Sequence, residues 1–157
     1  MKYRQLTKEQ FEALHEEFAI FLASQKIDVK EWKTLKTEKP EVAEEEMNIF
    51  SDVVWDDVLT KTEFVEHFSK SSINLFKCQK TLIERIMVKT TNPSVDFLTK
   101  KGIEWLSVNA GDDSLEYFYA HKDYSKERNV EIFDLVEKGG IMTKGHLYNS
   151  ISAVIKK

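Results

Sequence analysis

Phe64-Val65-Glu66-His67-Phe68, Ile73-Asn74-Leu75-Phe76-Lys77 and Leu82-Ile83-Glu84-Arg85-Ile86-Met87-Val88 decide the fold. The segment 63–89 holds no glycine or proline and is rich in aromatic and β-branched side chains, which fit a pleated surface better than a helix. The joints Ser69-Lys70-Ser71-Ser72 and Gln79-Lys80 are too short for a crossover helix, so the three runs read as an antiparallel meander. The alternation Leu82, Glu84, Ile86, Val88 is imperfect, as expected where both faces of a sheet are partly covered. Asn92-Pro93 closes the region as a turn.

Upstream of the meander the chain reads as helical. Leu6-Thr7-Lys8-Glu9-Gln10-Phe11 and Ile27-Asp28-Val29-Lys30-Glu31-Trp32 each place a capping residue three positions before a return cap, with an apolar staple across it. The first opens a helix over 7–25, with Phe11, Leu14, Phe18 and Phe21 or Leu22 on one stripe. The second opens a short helix from Val29 to Leu35. Pro40 suits a first helical position, and a long helix is predicted from there to Thr60. Glu41, Glu44, Glu45 and Glu46 sit in its first turns, where the positive end of the helix dipole favours them.

Downstream, a helix is predicted over 97–108 and stops at Asn109-Ala110-Gly111. Leu115-Glu116-Tyr117-Phe118-Tyr119 reads either as a strand or as a helical turn, with the strand preferred. Ser125 starts a helix that stops at Gly139-Gly140. Met142-Thr143-Lys144-Gly145-His146-Leu147 carries a staple, and Thr143 caps a last helix. The expected fold is α+β. A small antiparallel sheet of three or four strands lies between helical layers from both ends of the chain. No repeat or linker divides it, so residues 1–157 are expected to form one compact domain, helical over 7–60, sheet over 63–89 and mixed over 97–157.

The chain has 27 acidic and 23 basic residues, a formal net charge of −4. That balance argues against direct nucleic-acid binding, which is driven by lysine and arginine displacing counterions from phosphates. It favours a protein partner with a basic surface. The longest apolar runs, such as Phe18-Ala19-Ile20-Phe21-Leu22-Ala23, fall far short of the ~20 residues that span a bilayer. The lone Cys78 has no internal disulfide partner, and with no secretory start the expected home is the cytoplasm.

Several blocks carry a family likeness. Met1-Lys2-Tyr3-Arg4-Gln5-Leu6-Thr7, Glu38-Lys39-Pro40-Glu41-Val42-Ala43-Glu44 and Phe50-Ser51-Asp52-Val53-Val54-Trp55 resemble an uncharacterised bacterial family of small proteins, of the bacteroidete type. Glu66-His67-Phe68-Ser69, Leu75-Phe76-Lys77-Cys78, Asn92-Pro93-Ser94 and Thr143-Lys144-Gly145 fit it as well. The resemblance covers nearly the whole chain. It implies a domain of unknown function and supplies no catalytic residues.

Candidate chemistry is sparse. Glu12 and His15 form one E-x-x-H, half of what a dinuclear metal site in a helical bundle requires, so no metal or cofactor is expected. Asp112 and Asp113 lack the ligand spacing of a calcium loop. Glu66 and His67 fall on opposite faces of a strand. Cys78 would need a cationic neighbour to become a nucleophile. The aromatic and acidic groups Trp32, Trp55, Asp56, Asp57, Tyr117, Phe118 and Tyr119 suit a protein contact better.

The leading expectation is therefore a non-catalytic interaction module in a larger assembly, with transcription or translation machinery as a conceivable host. A small enzyme or ligand-binding domain with a pocket between sheet and helices, served by Glu66, His67 and Cys78, is the second reading. A self-associating homo-oligomer is the third.

Overall fold

Capping chemistry starts the helical half. In the computed structural model, which describes residues 1–156, Thr7 accepts the Gln10 N–H at 3.2 Å and the Gln10 side chain accepts the Thr7 N–H at 2.9 Å. This closes the expected capping box ahead of α1 (Lys8–Ala13). Asp28 accepts the Glu31 N–H at 2.7 Å and opens α3 (Val29–Glu38). The single helix expected over 7–25 is two helices. Leu14 leaves helical geometry at φ −107°, ψ 23°, and α2 (His15–Ser24) follows it. The Nδ1 of His15 lies 2.9 Å from the Glu12 carbonyl and gives it a partner beside the break. α4 (Pro40–Lys61) begins at the proline, as its missing N–H allows.

The chain divides into two units, Met1–Thr60 and a second from Lys61 onward. The interior of the first unit is aromatic. Phe18 lies 5.4 Å from Phe11, 4.9 Å from Phe50 and 5.2 Å, edge-on, from Trp32. Its N-terminal segment is tied down by carboxylates of α4. Asp52 accepts the Lys2 and Tyr3 N–H groups at 2.7 and 3.0 Å, and Asp56 accepts the Tyr3 hydroxyl. Burial and that carboxylate push the Tyr3 hydroxyl up to about 12.

The second unit holds a five-stranded, wholly antiparallel sheet in the order β4-β3-β2-β1-β5. Its strands are β1 (Phe64–Phe68), β2 (Ser72–Cys78), β3 (Leu82–Thr90), β4 (Leu115–Asp123) and β5 (Ile141–Thr143), with α5 (Lys100–Val108), α6 (Arg128–Glu137) and α7 (His146–Ile155) among the last of them. The class is α+β, with seven helices among the described residues. The sheet has five strands where three or four were expected. Residues 115–123 form a strand, the preferred of the two readings.

The extra strand is β5, which lies where a helix start was expected. Thr143 pairs with Phe64 and does not cap α7; its hydroxyl accepts the Gly145 N–H at 3.1 Å. Gly145 takes the position before α7 at φ +83°, and a Cβ there would lie 2.5 Å from the Phe64 ring. α6 likewise begins later than Ser125, at Arg128. It ends as expected at Gly139-Gly140, whose N–H groups reach the carbonyls of Val136 and Leu135 at 3.0 and 2.9 Å.

The core of this unit lies on one face of the sheet. Phe64, Ile73, Leu75, Ile86 and Val88 share that face by register and pack with Phe97, Leu106, Tyr148 and Ile151. Leaving one such side chain exposed would forfeit roughly 1.5–3 kcal/mol of transfer free energy.

Candidate functional site

The opposite face of the sheet is built from the alternate residues of the same strands. Register places Val65 opposite Phe76, His67 opposite Asn74, Phe76 opposite Arg85 and Arg85 opposite Ala120. Paired residues in an antiparallel ladder point to the same side, so these groups form one surface. α6 covers only part of it. Between the two lies a cleft of about 530 Å³, with His67, Asn74, Phe76 and Arg85 on the sheet side and Leu135 and Lys138 on the helix side.

Arg85 is the best-defined polar group there. Its Nε and Nη2 both donate to Asn74 Oδ1, at 3.0 and 2.6 Å, and its guanidinium lies 5.6 Å from the centre of the Phe76 ring. Lys122 is neutralised by Glu131, which also accepts the Ser125 N–H at 2.9 Å. Burial pushes the Glu131 carboxyl up, but the Lys122 and Ser125 bonds outweigh it and hold it below its usual range. Gly140 closes one wall, since a Cβ there would lie 2.7 Å from the Val65 side chain. This surface carries positive charge in a chain that is acidic overall. Residues 1–60 contain 14 acidic and 8 basic residues, and residues 61–157 contain 13 and 15.

β4 forms the other notable feature. It is nine residues long and pairs with β3 on one side; no strand lies on its other side among the described residues. Thr91 N–H donates to the Ser114 carbonyl at 3.0 Å, which fixes the ladder's phase. By alternation the backbone groups of Tyr117, Tyr119 and His121 point away from β3, along the open margin. Phe118 is 47% and Tyr119 50% exposed there. Tyr119 is oriented by its hydroxyl, which donates to Glu84 at 2.6 Å.

The residues singled out by sequence are dispersed. Tyr117 is half-buried against the core and donates to the Ala110 carbonyl at 2.6 Å. Trp32 belongs to the aromatic interior of the first unit, and Trp55 is only 6% exposed with Arg4 4.9 Å from its ring. Asp56 is engaged by Tyr3 and Lys2, while Asp57 is exposed. Phe118 and Tyr119 thus remain as the aromatics presented outward.

Glu66, His67 and Cys78 do not converge. Glu66 is buried on the core face beside Thr143, and His67 faces the cleft. Cys78 shares the face of His67 but is buried, and that burial pushes its thiol up to about 11 despite Arg128 nearby. Such a thiol is inert near neutral pH. No cluster of three or more histidine, cysteine, aspartate or glutamate side chains able to hold a metal occurs among the described residues. No described helix is long and apolar enough to cross a membrane.

Arg85 and Asn74 escaped the sequence reading. The signal for them was the tight turn between β2 and β3, which sets the register and so aligns Arg85 with Phe76.

A family described as "Family of unknown function (DUF6495)" matches residues 1–156. The chain belongs to the DUF6495 family. Comparison of this DUF6495 member with curated proteins and with solved structures finds no match. The family description assigns no activity, so roles within this DUF6495 fold follow from its geometry.

Proposed function

We propose that the chain is a non-catalytic protein-binding module of a larger assembly in a bacterial cytoplasm, and that the open margin of β4 is its docking element. One observation carries this reading: a nine-residue edge strand with Phe118 and Tyr119 exposed beside outward-pointing backbone groups. Such an edge is a template for an extended segment of another chain, with main-chain bonds supplying affinity and flanking side chains supplying selectivity. The occupant is an extended segment of a basic protein, favoured by the chain's formal net charge of −4. Direct nucleic-acid binding is not part of this reading.

The test uses a proline at an outward-pointing N–H. His121→Pro leaves the β3 ladder its hydrogen bonds but puts a ring and no donor on the margin. A partner captured by the native chain and then purified should bind the wild type at physiological salt and bind H121P at least about tenfold more weakly. On binding, the amides of Tyr117, Tyr119 and His121 should become protected from hydrogen exchange. Unchanged affinity of H121P with unprotected β4 amides overturns the reading. A doubled mass in solution, abolished by H121P, replaces the foreign partner with a second copy.

A further inference from the structure

We propose that the cleft on the second face of the sheet binds a small organic oxyanion, a phosphate or carboxylate head on a flat apolar body. The inference is independent of docking at β4.

Charge selects the head. His67, Arg85, Lys122 and Lys138 reach the cleft from β1, β3, β4 and α6, against Glu131 as the one acidic lining residue. Glu131 is already committed to Lys122 and the Ser125 N–H. Its charge therefore does not oppose an incoming anion at Arg85, and Lys138 and Arg85 remain as cations with no carboxylate bonded to them among the described residues.

Arg85 is also held in place before any ligand arrives. Asn74 Oδ1 takes its Nε–H and one Nη2–H, and the Phe76 ring lies beneath the guanidinium. The remaining N–H donors keep the planar fork that matches two oxygens of one head group. Pre-set orientation reduces the entropy lost on binding.

Shape and polarity select the body. Val65, Phe76, Ile83 and Leu135 supply apolar walls to a volume of about 530 Å³, within the range typical of small-molecule sites. Gly140 lets the backbone close the wall at Val65, where a Cβ would lie 2.7 Å from the side chain, and a Cβ at Gly139 would lie 3.5 Å from the His67 ring. An apolar slot lined by a pre-oriented guanidinium fits a ring that carries an anionic substituent.

Titration of the full chain with phenyl phosphate, followed by ¹⁵N NMR, tests the proposal. The Gly139 and Gly140 amides and the Arg85 Nε–H should shift together and saturate. Inorganic phosphate, which is the head alone, and benzyl alcohol, which resembles the body alone, should each bind at least about tenfold more weakly. Benzoate in a parallel titration identifies the preferred head, tighter binding than phenyl phosphate meaning a carboxylate. Arg85→Gln should weaken the better probe about tenfold and Lys138→Gln about threefold, while Lys100→Gln leaves it unchanged. Arg85 is exposed, so its replacement keeps the fold. Saturation without loss in R85Q, shifts confined to exposed lysines outside the cleft, or no cleft shift with either probe at millimolar concentration overturns the proposal.

Discussion

Thr143 donates from its hydroxyl to Glu66 Oε2 across 3.3 Å and thereby joins edge strand β5 to β1 by a side-chain bond. Glu66 is 9% exposed and points to the core face. Burial raises its carboxyl above the ordinary 4.5, while the Thr143 bond and nearby His146 pull it down by less.

The sign of the pH effect follows. In the window between 4.5 and the raised value the folded chain holds a proton that the unfolded chain has released. Stability therefore falls as pH rises through that window and stays lower above it. Glu66→Gln should flatten this dependence and raise the urea midpoint at pH 7 relative to wild type. A midpoint-against-pH series from 4 to 8 checks both statements. A steeper fall in the variant would mean that the carboxylate is stabilised where it sits.

Arg128 should be worth far more than an ordinary surface cation. Its guanidinium donates to the carbonyls of Thr62, Gln79 and Cys78 at 2.6, 3.0 and 3.2 Å. Tyr124 donates to the same Gln79 carbonyl at 2.7 Å. Arg128→Ala should destabilise the chain by about 2 kcal/mol or more, since three charge-assisted bonds, two of them part-buried, are lost together. Arg128→Lys should recover little of this, because an ammonium lacks the planar fork. Chemical denaturation of the three proteins provides the comparison.

Among the described residues, Lys26 is the one non-glycine residue with positive φ, 62°. It closes α2 with its N–H on the Ala23 carbonyl at 2.9 Å and the Ile27 N–H on the Leu22 carbonyl at 2.9 Å. A Cβ is unfavourable in this conformation. Lys26→Gly should stabilise the chain by roughly 0.5–1 kcal/mol, partly offset by the greater freedom glycine has when unfolded. A thermal melt that shifts downward would contradict this account.

The meander was legible because β1, β2 and β3 are each long enough to show composition and are joined by tight turns. β1 has the expected bounds, β2 is one residue longer at each end, and β3 starts as expected and runs two residues further. β5 was not legible: three residues carry no usable periodicity, and Met142-Thr143 beside Gly145 and His146 has the local chemistry of a helix start. What decided the matter was Phe64, remote in sequence, whose strand supplies the ladder and whose ring forces glycine at 145. β4 was ambiguous for a related reason. Tyr117, Phe118 and Tyr119 show no apolar alternation, because Phe118 and Tyr119 face outward from opposite sides of a strand with one free margin. The Arg85–Asn74 pair lies at the same level. Each residue is unremarkable in the chain, and only register sets them diagonally across the ladder, with Arg85 opposite Phe76 and Asn74 opposite Met87.

The two margins of the sheet are unequal, nine residues at β4 and three at β5. A ribbon that could be lengthened at both sides would invite indefinite stacking, the route to fibres. Here growth has a single direction. Whatever strand attaches at the long side, foreign or identical, the short side provides too few rungs to seat the next. A second copy docked through β4 would leave only three-residue β5 margins at both ends, so that such an assembly would end as a pair.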